Sequence, residues 1–316
     1  MYFRKLALLL AVCANLLVGT GAIVAQDLGH KLPGLIGLDA GRIPQAGLYV
    51  VDRVVTYNAD ELRDRHGNLI PIGNLQMRAL SNAAGISYTV GLRQGSVSLT
   101  VTAAAPVTRF RLNIEDRPEV SFDRFGLADI YIQPARLGWR RDRFDVVGSY
   151  GLYVPTGLFL LAGGKGVSTG HVTHEFSVGG SIYSNKNRDL FLTALASYNH
   201  NLRKRNIDIT RGDTFQIQGG VGMSRLNGGM EIGVAGHGLW QVREDRGSDL
   251  PPVLQGARDR VYGAGPEVAA FVKAIRSQIR IRYEWDVGVR SRPKGNIFVA
   301  GINFVVRRSP HSAVRP

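Results

Sequence analysis

His171 and His174 stand three residues apart, with Glu175 directly after and Ser168 and Ser177 close by. Such residue types can build a nucleophile with its base, or a metal site. A nucleophile needs its base within hydrogen-bond reach, and a serine three residues from a histidine has no spacing that secures it. A metal would need both histidines on one face. A helix would give that; a strand turns them to opposite faces. The surrounding residues alternate like a strand, so no catalytic, cofactor-binding or metal-binding residue is assigned.

The remaining chemistry is charge at alternate positions. From Ile279 to Val289 the apolar residues Ile279, Ile281, Tyr283, Trp285, Val287 and Val289 alternate with Arg280, Arg282, Glu284, Asp286 and Gly288. On a strand this makes one apolar and one charged face, over about the length a tilted strand needs to cross a bilayer. Arg143, Asp145, Glu231, Arg243 and Glu267 fall on the charged side of similar segments. With Arg280, Arg282, Glu284 and Asp286 they are the candidate lumen and solute path. They could form a self-neutralising ladder that fills the interior. They could instead select anions such as phenolates or carboxylates. A polar replacement of Arg282 should therefore fold nearly normally, whereas Ile281→Arg on the lipid face should hinder folding into the bilayer.

The elements that must position these residues are strands. Twelve are read, near 47–57, 76–92, 95–105, 125–140, 143–155, 171–184, 189–200, 213–226, 229–242, 259–273, 276–290 and 295–306. Long connections near 58–75, 106–124, 156–170, 201–212 and 243–258 alternate with short ones near 93–94, 141–142, 185–188, 227–228 and 274–275; only 291–294 breaks the rule. Short periplasmic turns alternating with long outer loops mark an outer-membrane barrel. Both chain ends are then expected in the periplasm. The expected fold is all-β: a transmembrane antiparallel β-barrel of about 12 strands over 47–306, with a tail at 307–316. A barrel of this size suits a narrow passage better than a general pore.

Residues 1–25 read as an export signal. Arg4 and Lys5 precede an apolar run, Leu6–Val18, broken only by Asn15, with cleavage expected after Ala22 or Ala25. Cys13 is the only cysteine, and Val12 before it is too large for a lipidation site. The mature chain then has no thiol. Losing Arg4 and Lys5 lowers the formal charge from +14 to +12. A basic exported chain fits anionic partners, such as lipid phosphates or anionic solutes, and argues against nucleic acid. The remainder holds no apolar run long enough for a helical span. The expected setting is the outer membrane of a Gram-negative cell. The expected partners are its lipids and lipopolysaccharide, the barrel assembly machinery and a small hydrophobic or aromatic solute; no cofactor is expected.

Three segments leave alternatives open. Residues 26–46 hold Gly29, Pro33, Gly34, Gly37, Gly41 and Pro44, too many breakers for a helix or long strand. They are either a periplasmic tail or a plug in the lumen. Near Asp129 and Pro134 the alternation fails, because Ile130, Tyr131 and Ile132 occupy both faces. That is either a bulge or a kink opening a lateral exit. Leu158–Leu161 make the 156–170 loop unusually apolar, whether for a ligand inside or for lipid at the rim.

Several short motifs occur in a telling order: Gly29-His30, Leu32-Pro33-Gly34, Pro44–Tyr49, Asp129 with Pro134 and Trp139, Val154-Pro155-Thr156-Gly157, Gly263–Glu267 with Gly265 and Pro266, and Tyr283-Glu284. In these the chain resembles the phenol meta-cleavage-pathway (MetA-pathway) outer-membrane family, which includes SphA-type sphingosine-responsive proteins. The resemblance implies an outer-membrane barrel taking up hydrophobic or aromatic compounds. The alternative is a closed barrel that binds an amphiphile such as a sphingoid base. The chain departs from the usual barrel ending, since Phe304 is followed by Val305, Val306, Arg307 and Arg308 rather than closing the sequence.

Overall fold

The computed structural model describes residues 29–308, apart from 93–95, 116–120, 158–165 and 227. The export signal, the tail from 309, Leu158–Leu161 and the hairpin residue Asn227 lie outside the described residues.

The strands are β1 (Gly47–Arg63), β2 (Leu75–Leu92), β3 (Val97–Ile114), β4 (Phe122–Leu127), β5 (Ile130–Arg140), β6 (Phe144–Val154), β7 (Thr173–Tyr183), β8 (Leu190–Asn201), β9 (Thr214–Arg225), β10 (Met230–Gln241), β11 (Arg260–Val272), β12 (Ser277–Arg290) and β13 (Arg292–Arg308). Each pairs antiparallel with its neighbours, and β1 pairs with both β2 and β13. β3 pairs with β4 through Val107–Leu112 and with β5 through Val97–Ala104. β4 and β5 are therefore two pieces of one barrel strand, broken at Ala128–Asp129. The sheet closes as a twelve-strand barrel.

The period-two pattern sets inside and outside. On β12, Ile279, Ile281, Trp285 and Val287 are exposed, while Arg280, Arg282, Glu284 and Asp286 are buried. Phe176, Val178, Leu192, Val221 and Val234 extend the exposed apolar wall onto β7–β10. An apolar band of this extent is covered by bilayer. No helix among the described residues is long and apolar enough to cross a membrane.

The pattern reverses at the end of β12. Asp286 pairs with Gly263 and Gly288 with Tyr262, which leaves Val287 without a partner residue. This bulge turns Val289 inward against Leu239 and Val261 and leaves Arg290 exposed. The expectation that Val289 faces lipid is corrected, because one inserted residue exchanges the two faces of everything after it.

Strands also run further than expected at one end. β1 continues to Arg63, β3 to Ile114, and β4 starts at Phe122, so the connections expected at 58–75 and 106–124 shrink to 64–74 and 115–121. β13 runs to Arg308, past the expected limit of 306. The extensions enclose an inner apolar cluster that includes Val55, Tyr57, Met77, Leu112, Ile114 and Ile297. The strand ends that flank 64–74, 115–121, 155–172, 202–213 and 242–259 gather at this end, called the loop-rich end below.

Candidate functional site: the filled lumen

Residues 29–46 run inside the barrel from the loop-rich end to the opposite end. At the loop-rich end, His30 Nε2 lies 3.0 Å from Asp129 Oδ2 and His30 Nδ1 lies 3.0 Å from Thr173 Oγ1. Lys31 Nζ donates to Glu175 at 2.9 Å. At mid-depth the Ile36 amide donates to Gln218 Oε1 (3.1 Å) and the Leu38 amide to Glu267 Oε2 (3.1 Å). Lower down, the Gly41 amide donates to Thr193 Oγ1 (2.8 Å), and Arg136 Nη2 donates to the carbonyls of Ala40 and Arg42 (2.9 and 3.0 Å). β1 then begins at Gly47, opposite Arg308. Gly29 and His30 thus lie at the loop-rich end, opposite the end where β1 starts.

Two glycines make this path possible. Gly37 has φ +60°, and a β-carbon there would stand 1.8 Å from Arg282 Nη1. At Gly41 it would stand 1.9 Å from the carbonyl oxygen of Gly180. An irregular backbone needs hydrogen-bond partners at membrane depth, and the lumen wall supplies them.

Six of the candidate path residues converge around the same segment. Arg280 reaches Asp39 (2.8 Å), Glu231 (3.1 Å) and Glu267 (2.5 Å). Arg42 reaches Glu231 at 2.5 Å. Arg282 contacts Glu267 (3.1 Å) and Glu284 (2.7 Å), and Glu284 accepts from His237 Nδ1 at 2.5 Å. Asp286 accepts from Tyr57 Oη (2.9 Å) and the Gly295 amide (3.0 Å). Asp145 is also buried, in a separate cluster at the short-turn end with Tyr183 Oη and Arg188. Two candidates are corrected. Arg143 is exposed in the turn before β6, and Arg243 is exposed beyond the end of β10, bound to Asp213 at 3.3 Å. Both lie just past a strand end, where alternation no longer sets direction.

His171 is buried inside and His174 points outward to Tyr150 Oη at 2.8 Å. Among the described residues no group of His, Cys, Asp and Glu could hold a metal ion.

The motif residues Asp129, Pro134, Pro155, Thr156 and Gly157 sit at or beside the broken strand. Register shifts fall between Thr100 and Thr102 on one side of β5 and between Ile132 and Ala135 on the other. Pro134, which has no amide hydrogen, lies in that bulge. At the break itself, Thr156 Oγ1 donates to the Ala128 carbonyl and accepts from the Ile130 amide, each at 3.2 Å. Asp129 Oδ2 accepts from the Thr169 amide and hydroxyl. Among the described residues β3 is the only strand partner of β4. Trp139 packs edge-on against Phe144 on the outside. Gly265 passes close to the Tyr283 carbonyl, and Pro266 lies opposite Val234.

Sequence reading missed Asp39, Arg42 and His30, because breakers hide any face they share. It also missed the inner apolar cluster, part of which fell in a stretch read as loop. Leu75, Met77 and Ala79 carried a visible alternation where the 58–75 stretch meets the strand read from 76.

At the loop-rich end two long connections are fastened together. Asp208 accepts from the Ser248 amide (2.9 Å) and hydroxyl (3.0 Å). These hydrogen bonds, the amide first, hold its carboxyl below the ordinary aspartate range.

The family described as "Putative MetA-pathway of phenol degradation" matches residues 59–300. The chain belongs to that family. No curated protein matches the sequence of this MetA-pathway family member. Its fold is similar to that of an outer-membrane channel from Pseudomonas putida F1, with TM-score 0.73 and 12% identity over 84% of this chain and 98% of the other. It is also similar to the β-domain of the Bordetella autotransporter BrkA, with TM-score 0.46 and 13% identity over 82% and 99%. The MetA-pathway barrel, closed and apolar outside, is an outer-membrane protein of the Gram-negative type.

Proposed function

We propose that this barrel is a gated diffusion channel for small hydrophobic or aromatic compounds, with residues 29–46 as the gate and the loop-rich end facing outward. The observation that carries the reading is the broken strand. Among the described residues β4 pairs on one edge only, and its inner residue Phe122 adjoins the apolar cluster through Phe110 and Leu112. A solute in that apolar part of the lumen lies beside a weak seam in the wall, through which it can pass laterally into the bilayer. The charged part supports ladder filling better than anion selection, because Arg42, Arg280 and Arg282 already hold carboxylates.

A second reading is favoured by a different observation. The charge ladder closes through Asp39 and Arg42 of the inner segment, as in a sealed barrel that binds an amphiphile such as a sphingoid base.

Deleting 26–46 with the export signal retained separates the two. The gate reading expects a folded, heat-modifiable barrel that conducts in planar bilayers where the intact protein is silent. It also expects aromatic uptake by cells to depend on the protein. Unchanged conductance would remove the gate. Equal uptake with and without the protein would remove the channel and leave the amphiphile reading, tested by binding of a long-chain base.

A further inference from the structure

On the outer wall at the loop-rich end, Arg260 and Arg290 are directly opposite each other on β11 and β12. Like charges facing each other across a ladder destabilise the pair. The bulge at Val287 puts Arg290 there by reversing the parity of the strand end. Among the described residues neither arginine has a carboxylate within ion-pair distance. They line a cavity of about 450 Å³ together with Arg63 and Lys294. Among the described residues the one acid ion-paired with these four cations is Glu61, bonded to Arg63 and 3.6 Å from Lys294. Four cations against one carboxylate leave an excess of three positive charges.

The cavity floor is apolar and aromatic. Val287 is 70% exposed, and Tyr262 packs edge-on against Trp240 at 5.5 Å, accepting from its indole N–H at 3.0 Å. Aromatic residues of this kind sit at headgroup level in membrane proteins. The cations thus lie just above the interface, on the lipid-facing side of the wall. Arginine forks match phosphate oxygens in pairs.

We propose that this cleft binds a phosphate group of lipopolysaccharide in the outer leaflet, with the acyl chains running down over Val287 and Trp285. A lipid source is favoured over a free anion because the site opens onto the lipid-facing wall and has a greasy floor. The inference rests on the loop-rich end facing outward, as in the proposed function. Its readout is lipid binding, independent of conductance and uptake, so the two can fail separately.

The test uses the mature chain refolded in detergent free of lipopolysaccharide. Retention of bis-phosphorylated lipid A, of the same lipid stripped of phosphate, and of inorganic phosphate is measured by native mass spectrometry. Binding of phosphorylated lipid A is expected, with at least about tenfold weaker retention of the dephosphorylated form. The double variant R260S/R290S should lose retention to a similar degree. R276S/R307S, at the opposite end of the barrel, should not. Equal retention of both lipid forms would overturn the proposal, as would equal loss in the two double variants. Inorganic phosphate binding as tightly as lipid A would overturn the lipid source. The comparison of lipids on the unmodified protein decides the matter even if R260S/R290S fails to fold.

Discussion

Asp39 and Arg280 are 241 residues apart in the chain and 2.8 Å apart in the lumen. The contact ties the inner segment to the wall without the wall depending on it, because Arg280 keeps Glu231 and Glu267. Glu231 in turn keeps Arg280 if Arg42 is removed. Asp39→Ala with Arg42→Ala should therefore loosen the segment and leave the barrel folded. Each charged hydrogen bond lost is worth about 1.5–3 kcal/mol. Planar-bilayer recordings should show openings intermediate between the silent protein and the 26–46 deletion. Silence equal to that of the unmodified protein would mean that these charges do not hold the segment.

The two faces of β12 should respond differently from what a wet lumen predicts. Ile281→Arg places a cation on a lipid-facing position that is 45% exposed, costing about 2–4 kcal/mol near mid-membrane. Arg282→Gln is also harmful here. Arg282 is 2% exposed and held by Glu267 and Glu284, and breaking such a pair costs about 3–5 kcal/mol. Urea titrations of folding into vesicles should show both variants destabilised. Normal stability of R282Q would show that the lumen is wet at that depth.

Much of the barrel was legible because transmembrane strands repeat a period of two over their whole length. Asp145, Glu231, Glu267, Arg280, Arg282, Glu284 and Asp286 were placed inside by that period alone. It fails where a residue is inserted or a strand ends. Val289 was misplaced by the bulge at Val287, and Arg143 and Arg243 by lying beyond strand ends. Asp39 and Arg42 carry no such signal, for another reason. Their partners Arg280 and Glu231 are about two hundred residues away, and an irregular segment carries no periodicity from which to infer a face.

The orientation has a direct chemical check. Cysteines placed singly at His66 and Glu244, exposed in connections of the loop-rich end, should react with an impermeant maleimide on intact cells. One at Lys273, exposed at the short-turn end, should not. Labelling of the Lys273→Cys variant alone would invert the barrel, and with it the proposed lipopolysaccharide site.

The fastening of the outer connections should depend on pH in a defined direction. The carboxyl of Asp208 is held below its ordinary value of 3.8, chiefly by the Ser248 amide and then by the Ser248 hydroxyl. A carboxyl depressed in the folded state contributes stability that is present above the ordinary value and lost as pH falls through the depressed one. Protection of the Ser248 amide from hydrogen exchange should therefore persist as the pH is lowered to 3.8 and fall only below it. Asp208→Asn should remove the dependence. Loss of protection well above 3.8 would show that another group controls this contact.

The broken strand yields the last prediction. At Gly157 a β-carbon would stand 2.2 Å from the Leu127 carbonyl oxygen, so Gly157→Ala must push the end of β4 and residues 155–157 apart. Thr156→Val removes the hydroxyl that bridges Ala128 and Ile130, two exposed hydrogen bonds of about 0.5–1.5 kcal/mol each. Both changes act on the seam beside β4, and neither touches the Asp39 and Arg42 contacts. If solute leaves through this seam, both variants should change the rate of aromatic uptake by cells. Ion conductance of the same variants in the 26–46 deletion background should stay the same, because ions follow the water-filled axis and not the wall. Uptake and conductance changing together would place the route along the axis, and the break at Ala128–Asp129 would then be a bulge with no part in transport.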